Sequence, residues 1–76
     1  MSAKKYLSKD RFAAEVIVAL ADNSMNVTDT ANAMYVDRGT VHYRVKKIRE
    51  NTGMNPFNFY DMCKLLPVAR KILKEG

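Results

Sequence analysis

The sequence predicts an all-α fold of four to five helices, and three observations carry that expectation. Apolar residues recur at three- and four-residue spacing along most of the chain, no stretch alternates apolar and polar residues as a half-buried strand does, and good capping residues stand ahead of the periodic segments. At 76 residues the chain holds one core, because a chain this short buries only about 60% of the surface exposed when unfolded. A single domain over residues 1–76 is expected, with 1–7 flexible and the functional core at 27–51.

Each element has its own signal. Ser8 is placed to cap a helix reaching about Ala21, in which Phe12, Val16, Ile17 and Leu20 form a buried stripe. Asn26, followed three positions later by Asp29, is a capping pattern for a short helix through Ala31 and Met34 that ends near Tyr35. Asp37 suits the positive end of a third helix, and Val41, Val45 and Ile48 at i, i+4 and i+7 give it one narrow buried face. Thr52-Gly53 stops that helix, since glycine takes a left-handed conformation without a Cβ penalty, and Met54-Asn55-Pro56 makes a turn. From about Asn58, Met62, Leu65, Leu66, Ala69, Ile72 and Leu73 keep helical spacing. Pro67 lacks an N–H donor and is expected to kink that helix or split it in two.

Composition narrows the function. Thirteen Lys and Arg against eight Asp and Glu give a formal charge of +5, which attracts a phosphate backbone or an anionic membrane. A membrane span is not expected, because the apolar stretch from Ala13 to Ala21 is short, carries Glu15 and ends in polar turn residues. One cysteine and one histidine cannot furnish a four-ligand zinc site or an internal disulfide framework, which points to the cytoplasm and to no metal and no cofactor. No nucleophile–base set, carboxylate pair or glycine-rich phosphate loop can be assembled, so the chain is not expected to be an enzyme.

The segment from Val27 to Ile48 reads as a short helix, a three-residue turn and a longer helix, the plan of a helix-turn-helix bundle. Ala31 is small where the two helices cross, and Val36 and Val41 fill the space beneath them. With Val41, Val45 and Ile48 inward, a rotation of about 100° per residue puts Gly39, Tyr43, Lys46 and Glu50 on the opposite side and His42, Thr40 and Lys47 on its flanks. That face suits the major groove of double-stranded DNA. Arg38 and His42 can donate to guanine acceptors, Tyr43 can pack on a thymine methyl or a sugar, and Gly39 lets the backbone approach. Thr40 and the amides at the helix start suit a phosphate, while Lys46 and Lys47 reach a flanking strand. Thr28 either touches a phosphate or completes a cap.

The run Tyr35-Val36-Asp37-Arg38-Gly39-Thr40-Val41-His42-Tyr43-Arg44-Val45, with Ile48 and Thr52-Gly53 after it, resembles the C-terminal helix-turn-helix of PucR-type regulators, a group that includes the sugar-diacid regulators. The likeness spans about Phe12 to Leu73. Arg38-Gly39-Thr40 and Lys46-Lys47 are also similar to the DNA-binding end of Fis-type proteins. Both resemblances imply a bacterial, nucleoid-associated DNA-binding module that regulates transcription. Two positions depart from the pattern. Tyr35 stands where many such turns have glycine, so the turn must hold tyrosine at positive φ or take another shape. Asp37 replaces a His or Asn, and an acid there repels phosphate unless it caps the helix or pairs with Arg44 or Arg38.

Other residues are given structural roles. Arg44, beside the buried stripe, is expected to pair with an acid such as Asp29 or Asp37. Cys63 is expected to be a buried, inert thiol. Phe57, Phe59 and Tyr60 are expected to pack where the last helix docks, and Met34 and Met62 to fill the core. PucR-type regulators join this module to sensory domains, whereas about ten residues precede it here, so it is expected to act alone or to answer a separate sensory partner. A homodimer through Met62–Leu73 is the expected route to useful affinity. The alternative is a protein-interaction or dimerisation module that keeps the fold and acts only with a partner.

Overall fold

The computed structural model describes residues 2–75. It contains five α-helices in the order α1 Ala3–Lys9, α2 Arg11–Asp22, α3 Val27–Met34, α4 Arg38–Thr52 and α5 Phe59–Glu75, and no strand among the described residues. The all-α expectation holds.

The first helix differs from the sequence reading. Ser2 is its N-cap, accepting from the Lys5 amide, and Ser8 lies in its last turn with its hydroxyl donating to the Lys4 carbonyl at 2.7 Å. A serine bonded backward in this way is an interior residue and not a cap. The chain breaks instead at Asp10, whose Oδ1 accepts from the Ala13 amide at 3.2 Å and caps α2. Residues 3–7 are therefore helical where flexibility was expected, while residue 1 lies outside the described residues. Leu7 anchors α1 by being fully buried, a contribution of roughly 1.5–3 kcal/mol against the entropy of ordering the helix.

Helix α2 runs along α5 and forms the centre of the core. Ala13, Ala14, Val16, Ile17 and Leu20 are buried on one side, with Met62, Leu65, Ala69 and Ile72 on the other. Arg11 fastens the far end of this pair: Nη1 donates to the Ile72 carbonyl in the last turn of α5 at 3.0 Å. Helix α5 is one helix through Pro67, not two. The donor that Pro67 lacks would have served the Cys63 carbonyl, and both residues lie exposed, where water can take that bond.

Three expectations for α5 change. Cys63 is exposed, and so are Phe59 and Tyr60, which meet edge-on at 5.8 Å between centroids; Phe57 alone of the three aromatics packs against the core. Most of the apolar stripe assigned to a second copy is buried within the chain itself, which leaves the outer side of α5 as its free surface. Among the described residues no helix is long and apolar enough to cross a membrane.

Candidate nucleic-acid interface

Helix α3 begins at Asn26, whose Oδ1 accepts from the Asp29 amide at 2.8 Å, and it ends in a Schellman arrangement. The Val36 amide donates to the Ala31 carbonyl at 3.0 Å and the Tyr35 amide to the Asn32 carbonyl at 3.2 Å. Tyr35 itself takes φ 59° and ψ 39°, the left-handed conformation usually left to glycine, and its side chain is 96% exposed. The turn therefore has the shape that a glycine would give it, with a tyrosine in place. Ala31 is buried beneath it, and Val36 packs against the core.

Helix α4 starts at Asp37. One carboxylate oxygen, Oδ1, accepts from the Thr40 amide at 2.7 Å and from the Thr40 hydroxyl at 2.9 Å, and these two bonds hold the Asp37 carboxyl below its ordinary pKa. Asp37 is thus a cap and not a partner of Arg44 or Arg38. Thr40 has both its amide and its hydroxyl engaged, so an incoming phosphate would have to displace the carboxylate. At Gly39 an added Cβ would stand 3.3 Å from the same Oδ1, so glycine here also makes room for the cap.

Val41, Val45 and Ile48 are buried as their spacing requires, which turns Gly39, Tyr43, Lys46 and Glu50 to solvent. Arg38 and His42 are exposed on one flank, and Lys47 and Thr40 are half-buried on the other. His42 lies against Phe57 of the α4–α5 connection, with ring centroids 6.1 Å apart. Thr28 is exposed in the first turn of α3. At the end of α4, Lys46, Arg49 and Glu50 border an open cleft of about 530 Å³ with Gly53, Met54 and Asn55. Gly53 has φ 73° and closes the helix as expected.

Arg44 has the structural role expected of it but a different partner. Its Nη1 donates to Asp10 Oδ2 at 3.0 Å, and the same oxygen accepts from the Tyr6 hydroxyl at 3.0 Å. The Arg44 guanidinium carbon sits 4.9 Å from the Phe12 ring centroid and 5.8 Å from that of Tyr43. Lys47 Nζ approaches the Tyr43 ring at 5.9 Å. Tyr43 is thus 53% exposed on the solvent side of α4, with two cations over its ring. Among the described residues no group of three His, Cys, Asp or Glu side chains is placed to hold a metal ion.

The family described as the PucR C-terminal helix-turn-helix domain matches residues 13–67, most of the chain. The chain belongs to that family. The PucR-type domain is a DNA-binding domain, and the matched span takes in the core of α2, the whole α3–turn–α4 unit and the first half of α5. No curated protein and no solved structure matches the chain.

Around the PucR-type unit the structure assembles residues that sequence reading did not connect with it. Asp10 and Tyr6 lie ahead of the matched span; Asp10 reaches Arg44 across 34 residues and Tyr6 donates to the same Asp10 oxygen, a pairing that no local spacing announces. Arg49 was legible as one of five Lys and Arg on α4, set against the single acid Glu50, but its place at the closing turn appears only in three dimensions.

Proposed function

We propose that this domain binds double-stranded DNA as part of a bacterial transcription regulator, inserting α4 into the major groove. The observation that carries the reading is the outward row of α4. Gly39, Tyr43 and Lys46 face solvent with Arg38, His42 and Lys47 beside them, on a helix whose opposite side is locked into the core of a DNA-binding family fold. Electrostatic capture by Lys46 and Lys47 brings the helix to the duplex, and Arg38, His42 and Tyr43 then meet base edges and sugars. Thr28 approaches a phosphate from the start of α3. Asp37 works against the capture by its charge while holding the helix start in shape.

A single module of this kind covers about 600–1,000 Å² of DNA, so a second copy or a sensory partner is the natural source of further affinity. In this reading the protein works in the cytoplasm at the nucleoid, without cofactor and without catalysis. A monomeric mass at high micromolar concentration would remove the homodimer.

The test is fluorescence anisotropy of a mixed-sequence duplex at two salt concentrations, comparing the chain with an Arg38→Ala, Lys46→Ala, Lys47→Ala variant. Binding that weakens steeply with salt and collapses in the variant supports the reading. No binding at tens of micromolar and low salt overturns it in favour of a protein-interaction module.

A further inference from the structure

Helix α1 lies ahead of the family span and packs against α5, α4 and α2. The Tyr6 hydroxyl and the Arg44 guanidinium share one oxygen of Asp10, each at 3.0 Å, so the Tyr6 edge of α1 is set against the flank of α4 that carries Arg44 and Lys47. At about 100° per residue, Lys9 lies about 60° and Lys5 about 100° around α1 from Tyr6, both turned away from buried Leu7. Both are exposed. Lys4 lies about 160° from Tyr6 and borders a separate hollow with Pro67 and Lys71 of α5.

The lysines of α1 are left without compensation from their own helix. Helix α1 has three lysines and no acid, so it offers no i+4 carboxylate to pair with them, and Asp10, which follows it, is already engaged with Arg44. Lys5 and Lys9 thus stand exposed on the helix whose Tyr6 edge is tied to the Arg44 flank of α4, the flank where Lys47 approaches Tyr43. A concentration of like charge repels itself until counterions or a polyanion neutralise it.

We propose that α1 is a second arm of the duplex interface, with Lys5 and Lys9 contacting phosphates on the strand that Lys47 approaches. The proposal rests on the DNA-binding reading above and extends it beyond the helix-turn-helix. These contacts position the protein without reading sequence, because a lysine ammonium on a phosphate carries no base information.

The experiment is duplex binding by the full chain across a salt series, with a Lys5→Gln, Lys9→Gln variant and a Lys4→Gln, Lys71→Gln control that removes equal charge from the other side. The expected result is a slope of log affinity against log salt that is shallower by roughly one to two in the Lys5/Lys9 variant, about 0.9 for each lost phosphate contact. Sequence preference stays unchanged, and the control keeps the slope of the unsubstituted chain. An unchanged slope in the Lys5/Lys9 variant overturns the proposal, as does an equal change in the control, which would be a net-charge effect. Absence of salt-dependent duplex binding by the unsubstituted chain overturns the DNA reading itself, a result distinct from either.

Discussion

Arg44 and Asp10 meet at 3.0 Å across 34 residues of chain, and the contact joins α4 to the junction of α1 and α2. Asp10 also caps α2 through its other oxygen. The two roles separate by substitution. Asp10→Asn keeps a capping oxygen and loses the charge, and because both side chains are partly solvated it should lower stability by only about 1 kcal/mol. Asp10→Ala loses cap and pair together and should lower it by about 2 kcal/mol. Urea unfolding measures both, and a double-mutant cycle with Arg44→Gln should find the two sites coupled.

Tyr6 responds to pH through the same carboxylate. Burial, the hydrogen bond to Asp10 and the Asp10 charge raise its pKa from 10.0 to about 12. Because the folded-state value is above the unfolded one, the stabilisation is complete below pH 10 and is lost as pH rises toward 12. Ultraviolet titration should find one of the four tyrosines ionising late, and Tyr6→Phe should abolish that late step.

Tyr35 occupies a left-handed position with almost no packing to lose. Tyr35→Gly should therefore stabilise the domain by about 0.5–1 kcal/mol, raising Tm by roughly 2–8 °C. Tyr35→Ala, which keeps the Cβ, should give no such gain in the same thermal melts.

Asp37 stabilises the start of α4 and opposes an approaching phosphate. Its lowered pKa means that the stabilisation is present above the ordinary carboxylate range and fades as pH falls through the folded value. Asp37→Asn should keep the cap, remove this acid dependence and tighten duplex binding several-fold at low salt. Acid titration followed by circular dichroism checks the first effect and anisotropy the second.

Arg38 and Lys46 should differ in kind. Arg38→Ala should cost about 1–3 kcal/mol of binding and relax preference at one base pair, whereas Lys46→Ala should weaken all sequences alike and reduce the salt slope by about one. Equal, sequence-blind losses in a set of single-base-pair duplex variants would remove the readout role of Arg38.

The helices that present the candidate site were legible because their signals are local. Asn26 and Asp37 cap helices three residues ahead of the amides they bind, Gly53 closes α4, and Val41, Val45 and Ile48 repeat at helical spacing. The errors fall where a side chain chooses between near and distant partners. Ser8 has the chemistry of a cap, yet its hydroxyl turns back to Lys4 while Asp10, two residues later, makes the break. Asp29 and Asp37 are nearer to Arg44 in sequence than Asp10, but Asp37 is committed to Thr40 and the fold delivers Asp10. Cys63, Phe59 and Tyr60 follow the helical period of α5 onto its outer side, which an apolar residue count does not reveal.

The clasp between Arg11 and the Ile72 carbonyl has a bearing on synthesis. As the chain leaves the ribosome, α3 and α4 emerge onto α2, on which both pack, while the helix that covers the other side of α2 is still to come. The pairing of α2 with α5 closes only after the segment through Ile72 has cleared the exit tunnel. Until then the side of α2 that α5 covers stands open to chaperones. A nascent chain should thus close that side of its core last.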